Sequence, residues 1–235
     1  MEDVKVSRRE RLRAEAVRDI KAIAMKEMAA GGPAAISLRA IAREMGMTAG
    51  ALYSYFDTRD DLVAALIAEV YTAVAQRLED ARDSRPERDL AGRIVAVGEA
   101  YRRWAVGSPD EFRLIYGDPI PGYQAPTNQA TQAAEHRACL VLTGLAYAAW
   151  PQAKQTQGGG VRWSDLRPEF VALIRKTYPD LSAGAAAMGF RIWGRMYGLV
   201  ALEVYGHLSA QLAEPGRIYH AELLDLARSL GQPTP

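Results

Sequence analysis

The chain has 235 residues, of which 49% are hydrophobic and 24% are charged, and its formal net charge is +1. This is the composition of an ordinary globular protein, long enough for one large domain or for a small domain joined to a larger one. A single cysteine excludes an internal disulfide framework and is typical of a reducing cytoplasm. The most apolar segment, residues 138–150, is shorter than the span of about 20 residues that crosses a membrane. We therefore expect a cytoplasmic protein with no signal peptide and no membrane contact.

Positive charge is slightly concentrated towards the N-terminus. Residues 1–59 hold 11 Lys and Arg against 8 Asp and Glu, whereas residues 60–235 hold 18 against 20. The sign of this asymmetry is that of an N-terminal surface for nucleic acid, although its size is small.

The first helix is predicted within residues 4–30 and begins with a basic arm. Gly31-Gly32-Pro33 ends it, because glycine supplies a left-handed cap and proline cannot continue a helix. The basic residues of the arm are Lys5, Arg8, Arg9, Arg11 and Arg13. The first four either follow a DNA backbone or enter the minor groove, or the arm is simply solvated.

Residues 36–62 have the pattern of two short helices joined by a tight turn. Apolar residues at positions 38, 41, 42 and 45 share one helical face, and the turn follows at Gly46. Ser37 and Thr48 are suited to cap the two helices, because a hydroxyl oxygen accepts from an otherwise unpaired backbone N–H. This pattern predicts a helix-turn-helix motif with a second helix over residues 48–55.

The rest of the chain shows further helices and no run of alternating β-branched residues. Breakers separate the helices, and residues 151–164 are predicted as a glycine-rich loop. We therefore predict an all-α fold of about nine or ten helices. The later helices are expected at about residues 58–82, 87–106, 108–116, 127–150, 168–177, 183–208 and 214–231.

More than a dozen positions of residues 36–66 resemble the tetracycline-repressor (TetR) family of transcription regulators. Two positions depart from the common pattern: Tyr55, where many members carry His, and Arg59, where Lys is common. Both substitutions keep a phosphate donor. The matching stretches are Leu38-Arg39-Ala40-Ile41-Ala42, Gly46-Met47-Thr48, Gly50-Ala51-Leu52-Tyr53, Tyr55-Phe56 and Arg59-Asp60-Asp61-Leu62.

A looser resemblance links the C-terminal part to a TetR subgroup named for a Trp-His-Gly (WHG) signature. It rests on Phe112-Arg113-Leu114-Ile115-Tyr116-Gly117, on Pro119 and on Pro121-Gly122-Tyr123. The signature itself would be Trp193, Tyr197 and Gly198, so no ligand role of the imidazole carries over. The resemblance implies a three-helix DNA-binding domain, residues 1–58, followed by a larger helical domain, residues 59–235, that dimerises and binds an effector.

The predicted DNA-binding residues lie on or beside the second short helix. Its small residues would let the backbone approach the base edges of the major groove. The tyrosines and Arg59 would contact phosphates, and Ser37 and Thr48 would do so while capping their helices. Arg39 would reach a base or a phosphate. The alternative is that the tyrosines are half-buried core residues and the hydroxyl residues only caps. The set is Ser37, Arg39, Thr48, Ala49, Gly50, Tyr53, Tyr55 and Arg59.

Two further sites are predicted in the larger domain. A DNA reader of this size needs a symmetric dimer, and the last two helices are the expected interface. Aromatic residues with few charges suit a pocket for a largely apolar small molecule, unless they serve only in the core. The interface set is Gly194, Gly198, Ala201, Leu223, Leu226, Ala227 and Leu230. The pocket set is Tyr101, Trp104, Tyr116, Phe190, Trp193 and Tyr197.

These features predict a repressor that binds a palindromic double-stranded DNA operator as a homodimer and is released by a small-molecule effector. An enzyme is not expected, because the chain has no nucleophile elbow, phosphate-binding loop or dinucleotide fingerprint. No metal or other cofactor is predicted, since the three histidines have no partner at ligand spacing. The alternative is a helical small-molecule-binding or protein-interaction module without DNA binding.

Overall fold

The computed structural model describes residues 7–117, 120, 122–123, 129–157 and 160–234. Over these residues the structure has α-helices, two short 3-10 turns at Pro33–Ala35 and Trp163–Asp165, and no strand. The predicted all-α fold is confirmed. The helices of the described part are α1 (Arg8–Gly31), α2 (Leu38–Glu44), α3 (Ala49–Tyr53), α4 (Arg59–Asp83), α5 (Leu90–Gly107), α6 (Pro109–Tyr116), α7 (Gln129–Gln157), α8 (Pro168–Thr177), α9 (Ala183–Val204) and α10 (Pro215–Ser229).

The described residues divide into two compact units. The first contains those of Met1–Val70 and Asp110–Thr131, and the second contains those of Tyr71–Pro109 and Gln132–Pro235. This division differs from the domain boundary predicted at residue 58, because the first half of α4 belongs to the first unit.

The first unit is held together by apolar faces of α1, α2, α3 and α4. Each helix contributes aliphatic side chains that are almost fully buried, and burial of each Val, Leu, Ile or Met among them stabilises the fold by roughly 1.5–3 kcal/mol. The side chains that hold the two short helices in place are Ile20, Ala24, Met28, Leu38, Ile41, Ala42, Leu52, Leu62, Val63 and Leu66.

In the second unit α5 packs against α9 and α10. Gly98 makes this close packing possible, since a Cβ atom there would lie 2.3 Å from a methyl carbon of the buried Leu223. The guanidinium of Arg102 on α5 donates two hydrogen bonds, of 2.7 and 2.6 Å, to the carboxylate of Glu203 on α9. A second cluster, around Ile174 and Ala185, joins α8 to α9.

Several predicted helix ends were wrong. The largest difference is at α7, which continues through Pro151 to Gln157 where a loop was predicted. Ala153 is fully buried, and the amide of Gln157 donates to the carbonyl of Ser229 at 2.9 Å, so packing offsets the cost of a proline inside a helix. Of the predicted glycine-rich loop, residues 158 and 159 lie outside the described part.

Three other ends moved for local reasons. Helix α5 begins three residues later than predicted, because Asp89 caps it by accepting from the backbone N–H of Gly92 at 2.8 Å. Helix α9 ends at Val204, and Gly206 follows with a φ of 79°. Helix α3 ends at Tyr53 instead of continuing to Tyr55. The predicted start of α7 at residue 127 lies outside the described residues.

Candidate nucleic-acid interface

The turn between α2 and α3 depends on Gly46. Its φ is 66°, a left-handed conformation that residues with a Cβ atom rarely adopt. The backbone N–H of Met47 then donates to the carbonyl of Ala42 at 2.8 Å, which closes the C-terminal end of α2. The chain therefore reverses within a few residues, and α3 can cross α2 as a helix-turn-helix requires.

Both predicted cap residues cap their helices. The hydroxyl of Ser37 accepts from the backbone N–H of Ala40 at 3.4 Å, and that of Thr48 accepts from Ala51 at 3.2 Å. Glu27 of α1 also accepts from the backbone N–H of Ser37 at 2.8 Å, which fixes the start of α2. A phosphate contact by either hydroxyl stays a prediction.

Helix α3 has one buried face and one open face. Leu52 is fully buried, whereas Ala49, Gly50 and Tyr53 are exposed. A Cβ atom at Gly50 would find no described atom within 4 Å. The open face is therefore small at its N-terminal end and carries a phenol one turn later, which is the shape we expected of a helix that enters the major groove.

A residue that the sequence did not single out lies beside this surface. The guanidinium of Arg13 on α1 donates to the carbonyl of Ser54 at 2.9 Å and lies 4.8 Å from the ring centroid of Tyr55. It thus brings a positive charge to the end of α3 and holds the Tyr55 ring. The basic composition of the arm was visible in the sequence, but nothing in it distinguished Arg13 from its neighbours.

Arg59 has a structural role within the first unit. Its guanidinium donates to the carbonyl of Ile36 at 3.1 Å and to that of Pro33 at 2.6 Å. It also lies 3.7 Å from the carboxylate of Asp60. These contacts tie the start of α4 to the segment before α2, and the predicted phosphate contact is not tested by them.

The exposed side of α2 carries two arginines. Arg39 and Arg43 are four residues apart, so they lie one turn apart on the same side of the helix. Both are exposed, and neither guanidinium pairs with another described residue. Arg39 was predicted at this surface, and Arg43 extends the positive side of α2.

The predicted dimer residues fall into two different environments. Gly194 and Gly198 lie on an open side of α9, where an added Cβ atom would meet no described atom within 4 Å. Ala201 shares that side at helical spacing. The four predicted residues on α10 and at its C-terminal cap are instead at most 2% exposed and belong to the core of the protomer, so we withdraw them from the interface. They are Leu223, Leu226, Ala227 and Leu230.

The six aromatics predicted to line one pocket are spread over several places. Tyr101 and Trp104 are buried on α5 with ring centroids 5.7 Å apart, and Tyr116 belongs to the first unit. Phe190 and Trp193 are exposed on α9, where Trp193 lies 6.1 Å from the Tyr197 ring. Phe190, Trp193 and Tyr197 therefore share the open side of α9 with Gly194, and the predicted pocket stays a prediction.

The described part of the chain holds neither a metal-ligating cluster nor a membrane-spanning helix. No cluster of three or more His, Cys, Asp and Glu side chains in this part could hold a metal ion. No helix in it is long and apolar enough to cross a membrane.

Comparison with known proteins identifies the family. The model for bacterial regulatory proteins of the tetR family matches residues 20–66, and the model for the tetracyclin repressor-like C-terminal domain matches residues 94–226. The chain belongs to the TetR family. The match at residues 20–66 covers the helix-turn-helix, so the chain is a DNA-binding transcription regulator, as its sequence predicted.

The similarity to other regulatory proteins extends over nearly the whole chain. The HTH-type transcriptional regulators Rv1816 of Mycobacterium tuberculosis and Mb1846 of Mycobacterium bovis are each 28% identical over 225 residues, which is 93% of either chain. The crystal structure of regulatory protein SCO4313 is 30% identical, with a TM-score of 0.72, and the match covers 94% of this chain and 98% of that one. A TetR regulator from Shewanella sp. PV-4, 19% identical with a TM-score of 0.55 over 89% and 96% of the two chains, shares the fold.

Proposed function

We propose that this TetR regulator is a repressor that binds a palindromic operator as a homodimer and releases it when a small molecule binds. The observation that carries the DNA contact is the open face of α3 beside cationic side chains of α1 and α2. Ala49 and Gly50 would approach base edges, and Tyr53 would donate to a phosphate. Arg39 and Arg43 would supply positive charge for further contacts with the phosphates of the DNA.

The homodimer is proposed on the open side of α9. Exposed aromatics and glycines alternate on this side of the helix. The glycines would allow a second helix to approach closely, and the aromatics would add large apolar contacts on either side of the line of closest approach. Trp193, Gly194 and Ala201 belong to this surface. A dimer would place two copies of α3 at a fixed separation, and half-sites one helical turn apart, or a multiple of it, would match that separation.

Release by an effector requires coupling between the two ligands. Such coupling is reciprocal and is typically about 1–3 kcal/mol, so the operator must weaken effector binding as much as the effector weakens operator binding. We also place the protein in the cytoplasm and assign it no catalytic activity, as is typical of transcription regulators. The alternative of a helical module without DNA binding would leave the paired caps and the open face of α3 without a use.

Selection of bound fragments from a random DNA pool tests this proposal. We expect one enriched palindrome whose half-sites are separated by about 10 base pairs or a multiple of that distance. The double variant Arg39→Ala/Arg43→Ala should weaken binding to the selected site and to unrelated DNA alike, because phosphate contacts carry no sequence information. Enrichment of a single, non-repeated motif would contradict the dimer, and no enrichment would contradict specific DNA binding.

A further inference from the structure

A groove in the second unit lies between the C-terminal end of α4 and the length of α5. Its volume is about 880 Å³, which is within the range of small-molecule sites. The residues of α5 that line it recur at positions 95, 96, 99, 100, 103, 104 and 107, so they form one continuous side of that helix. Helix α10 contributes His220 to the lining.

Three arginine side chains that line this groove form no hydrogen bond or ion pair with another described residue. Arg77 of α4, Arg85 of the following connection and Arg103 of α5 all line it and are all exposed. None of these three guanidinium groups donates a hydrogen bond or makes an ion pair to another described residue. A guanidinium group in such a position is suited to bind carboxylate or phosphate oxygens in pairs.

The two acids of the groove already have partners. Glu99 is hydrogen-bonded to the ring Nδ1 of His220 at 3.0 Å, and Asp80 accepts from the side-chain amide of Gln76 at 2.8 Å. Three uncommitted cations therefore face two engaged carboxylates, and the net charge of the lining favours an anion even with His220 neutral.

The rest of the lining is mainly apolar, although it includes Ser84 and Ser108. Its apolar residues are Ala81, Val95, Ala96, Ala100 and Trp104, the last of which is 5% exposed. A ligand that satisfied both kinds of wall would carry an anionic head and a hydrocarbon body, because burying the body removes apolar surface from water at roughly 25 cal/mol per Å².

We propose that the groove between α4 and α5 binds an amphipathic organic anion. Arg77 and Arg103 hold its carboxylate or phosphate oxygens, and its chain lies along Val95, Ala96 and Trp104. This inference names the chemical class of the effector and rests to that extent on the proposed function, although binding itself requires neither DNA nor a dimer.

Isothermal titration calorimetry at low salt tests the proposal with decanoate and, as a matched probe of opposite charge, decylammonium. We expect decanoate to bind at least about tenfold more tightly than decylammonium, since charge-assisted hydrogen bonds contribute about 1.5–3 kcal/mol. The variant Arg77→Gln/Arg103→Gln should raise the Kd for decanoate at least about tenfold. Arg167→Gln removes an exposed charge outside the lining and should leave the Kd unchanged.

Two results would overturn the proposal: equal affinity for the two probes, or an unchanged Kd for decanoate in the double variant. Arg85→Gln and Ala96→Glu are independent checks, and both should weaken decanoate binding if the groove is the site. Failure of the chain to bind any selected operator when decanoate is absent would contradict the proposed function while leaving the calorimetric result in force.

Discussion

Tyr219 on α10 buries a polar atom at a cost to stability. Its side chain is 1% exposed, and no described group lies within hydrogen-bond distance of its hydroxyl. Burial, followed by the nearby carboxylate of Glu99, raises the pKa of this phenol far above its ordinary value, so the side chain stays neutral. A buried hydroxyl that has given up its bonds to water destabilises the fold by about 1–3 kcal/mol.

We therefore predict that Tyr219→Phe raises the free energy of unfolding by about 1–2 kcal/mol, because the ring is kept and only the desolvated hydroxyl is removed. Urea unfolding followed by circular dichroism would measure the change. The matched control is Tyr147→Phe, at an exposed ring, which should change the free energy of unfolding by less than about 0.5 kcal/mol. A loss of stability in Tyr219→Phe would show that the hydroxyl has a partner.

We predict that loss of the Arg59 side chain lowers the stability of the fold, whereas loss of the Arg39 side chain affects only DNA binding. Arg59→Ala removes the donors to the carbonyls of Ile36 and Pro33 and should lower the free energy of unfolding by about 1–3 kcal/mol. Arg39→Ala removes no hydrogen bond or ion pair to a described residue and should leave stability unchanged to within about 0.5 kcal/mol.

The DNA affinities of the Arg39 and Arg59 variants are the second property to compare. Arg39→Ala should weaken binding at all sequences and reduce the slope of log K against log salt by about 1, since one phosphate contact is lost. If Arg59 also contacts a phosphate, its variant will show the same change of slope in addition to the loss of stability. An unchanged slope for Arg39→Ala would contradict its place in the interface.

At the scale of the helices, the turn and α3 impose opposite demands on their glycines. Gly46 has a φ of 66°, so glycine is needed there for its backbone conformation. Gly50 is helical, and we propose that its lack of a side chain leaves room for DNA at the surface of α3. In neither case would an added Cβ atom meet a described atom within 4 Å, so steric overlap inside the chain does not distinguish them.

We predict that Gly46→Ala lowers the free energy of unfolding by about 1–2 kcal/mol, because alanine is strained in the left-handed region. Gly50→Ala should instead leave stability unchanged or raise it by up to about 1 kcal/mol, as expected for alanine in a helix. The same Gly50→Ala variant should bind the operator more weakly, since its methyl group would lie between α3 and the bases. Thermal unfolding and fluorescence anisotropy with a selected operator would measure both effects, and undiminished binding would remove Gly50 from the interface.

The range of the interactions decides which parts of these elements the sequence could predict. Caps such as Ser37 and Thr48 bond to residues three positions away, so local patterns identify them. The contact of Arg13 with Ser54 joins residues 41 positions apart, and no pattern in one sequence specifies such a pair. The loop predicted from Pro151 onwards was wrong for the same reason, because a contact with α10 helps to keep α7 helical beyond this proline.

At the scale of the whole molecule, the sequence identified the family and the helical fold but placed the interface partly inside the core. The apolar spacing of Leu223 and Leu226 is the same whether the helix packs against its own chain or against a second copy. Only the structure shows that both side chains are buried and that α10 packs against α5 and α9 of its own chain. The open side of α9, with Trp193 and Gly194 exposed, is the surface that we propose for a second copy of the chain.

We predict that Gly194→Arg produces a monomer without unfolding the chain. A Cβ atom at this position would meet no described atom within 4 Å, so the side chain should be tolerated in the protomer. It would stand between two copies of α9 packed at close distance. Sedimentation at about 10 μM should show a dimer for the parent chain and a monomer for the variant. Ala172→Arg, at an exposed position on α8, is the matched control and should remain dimeric.

Loss of the dimer should also reduce operator affinity. Two linked DNA-binding helices gain about 10²–10⁴ in affinity over one, so Gly194→Arg should weaken binding to a selected palindrome by at least about a hundredfold. Binding to a single half-site should change little, because each copy of α3 is intact. A variant that stays dimeric would exclude this side of α9 as the interface. A monomeric variant that still binds the palindrome tightly would show that α3 reads DNA without the fixed separation that a dimer imposes.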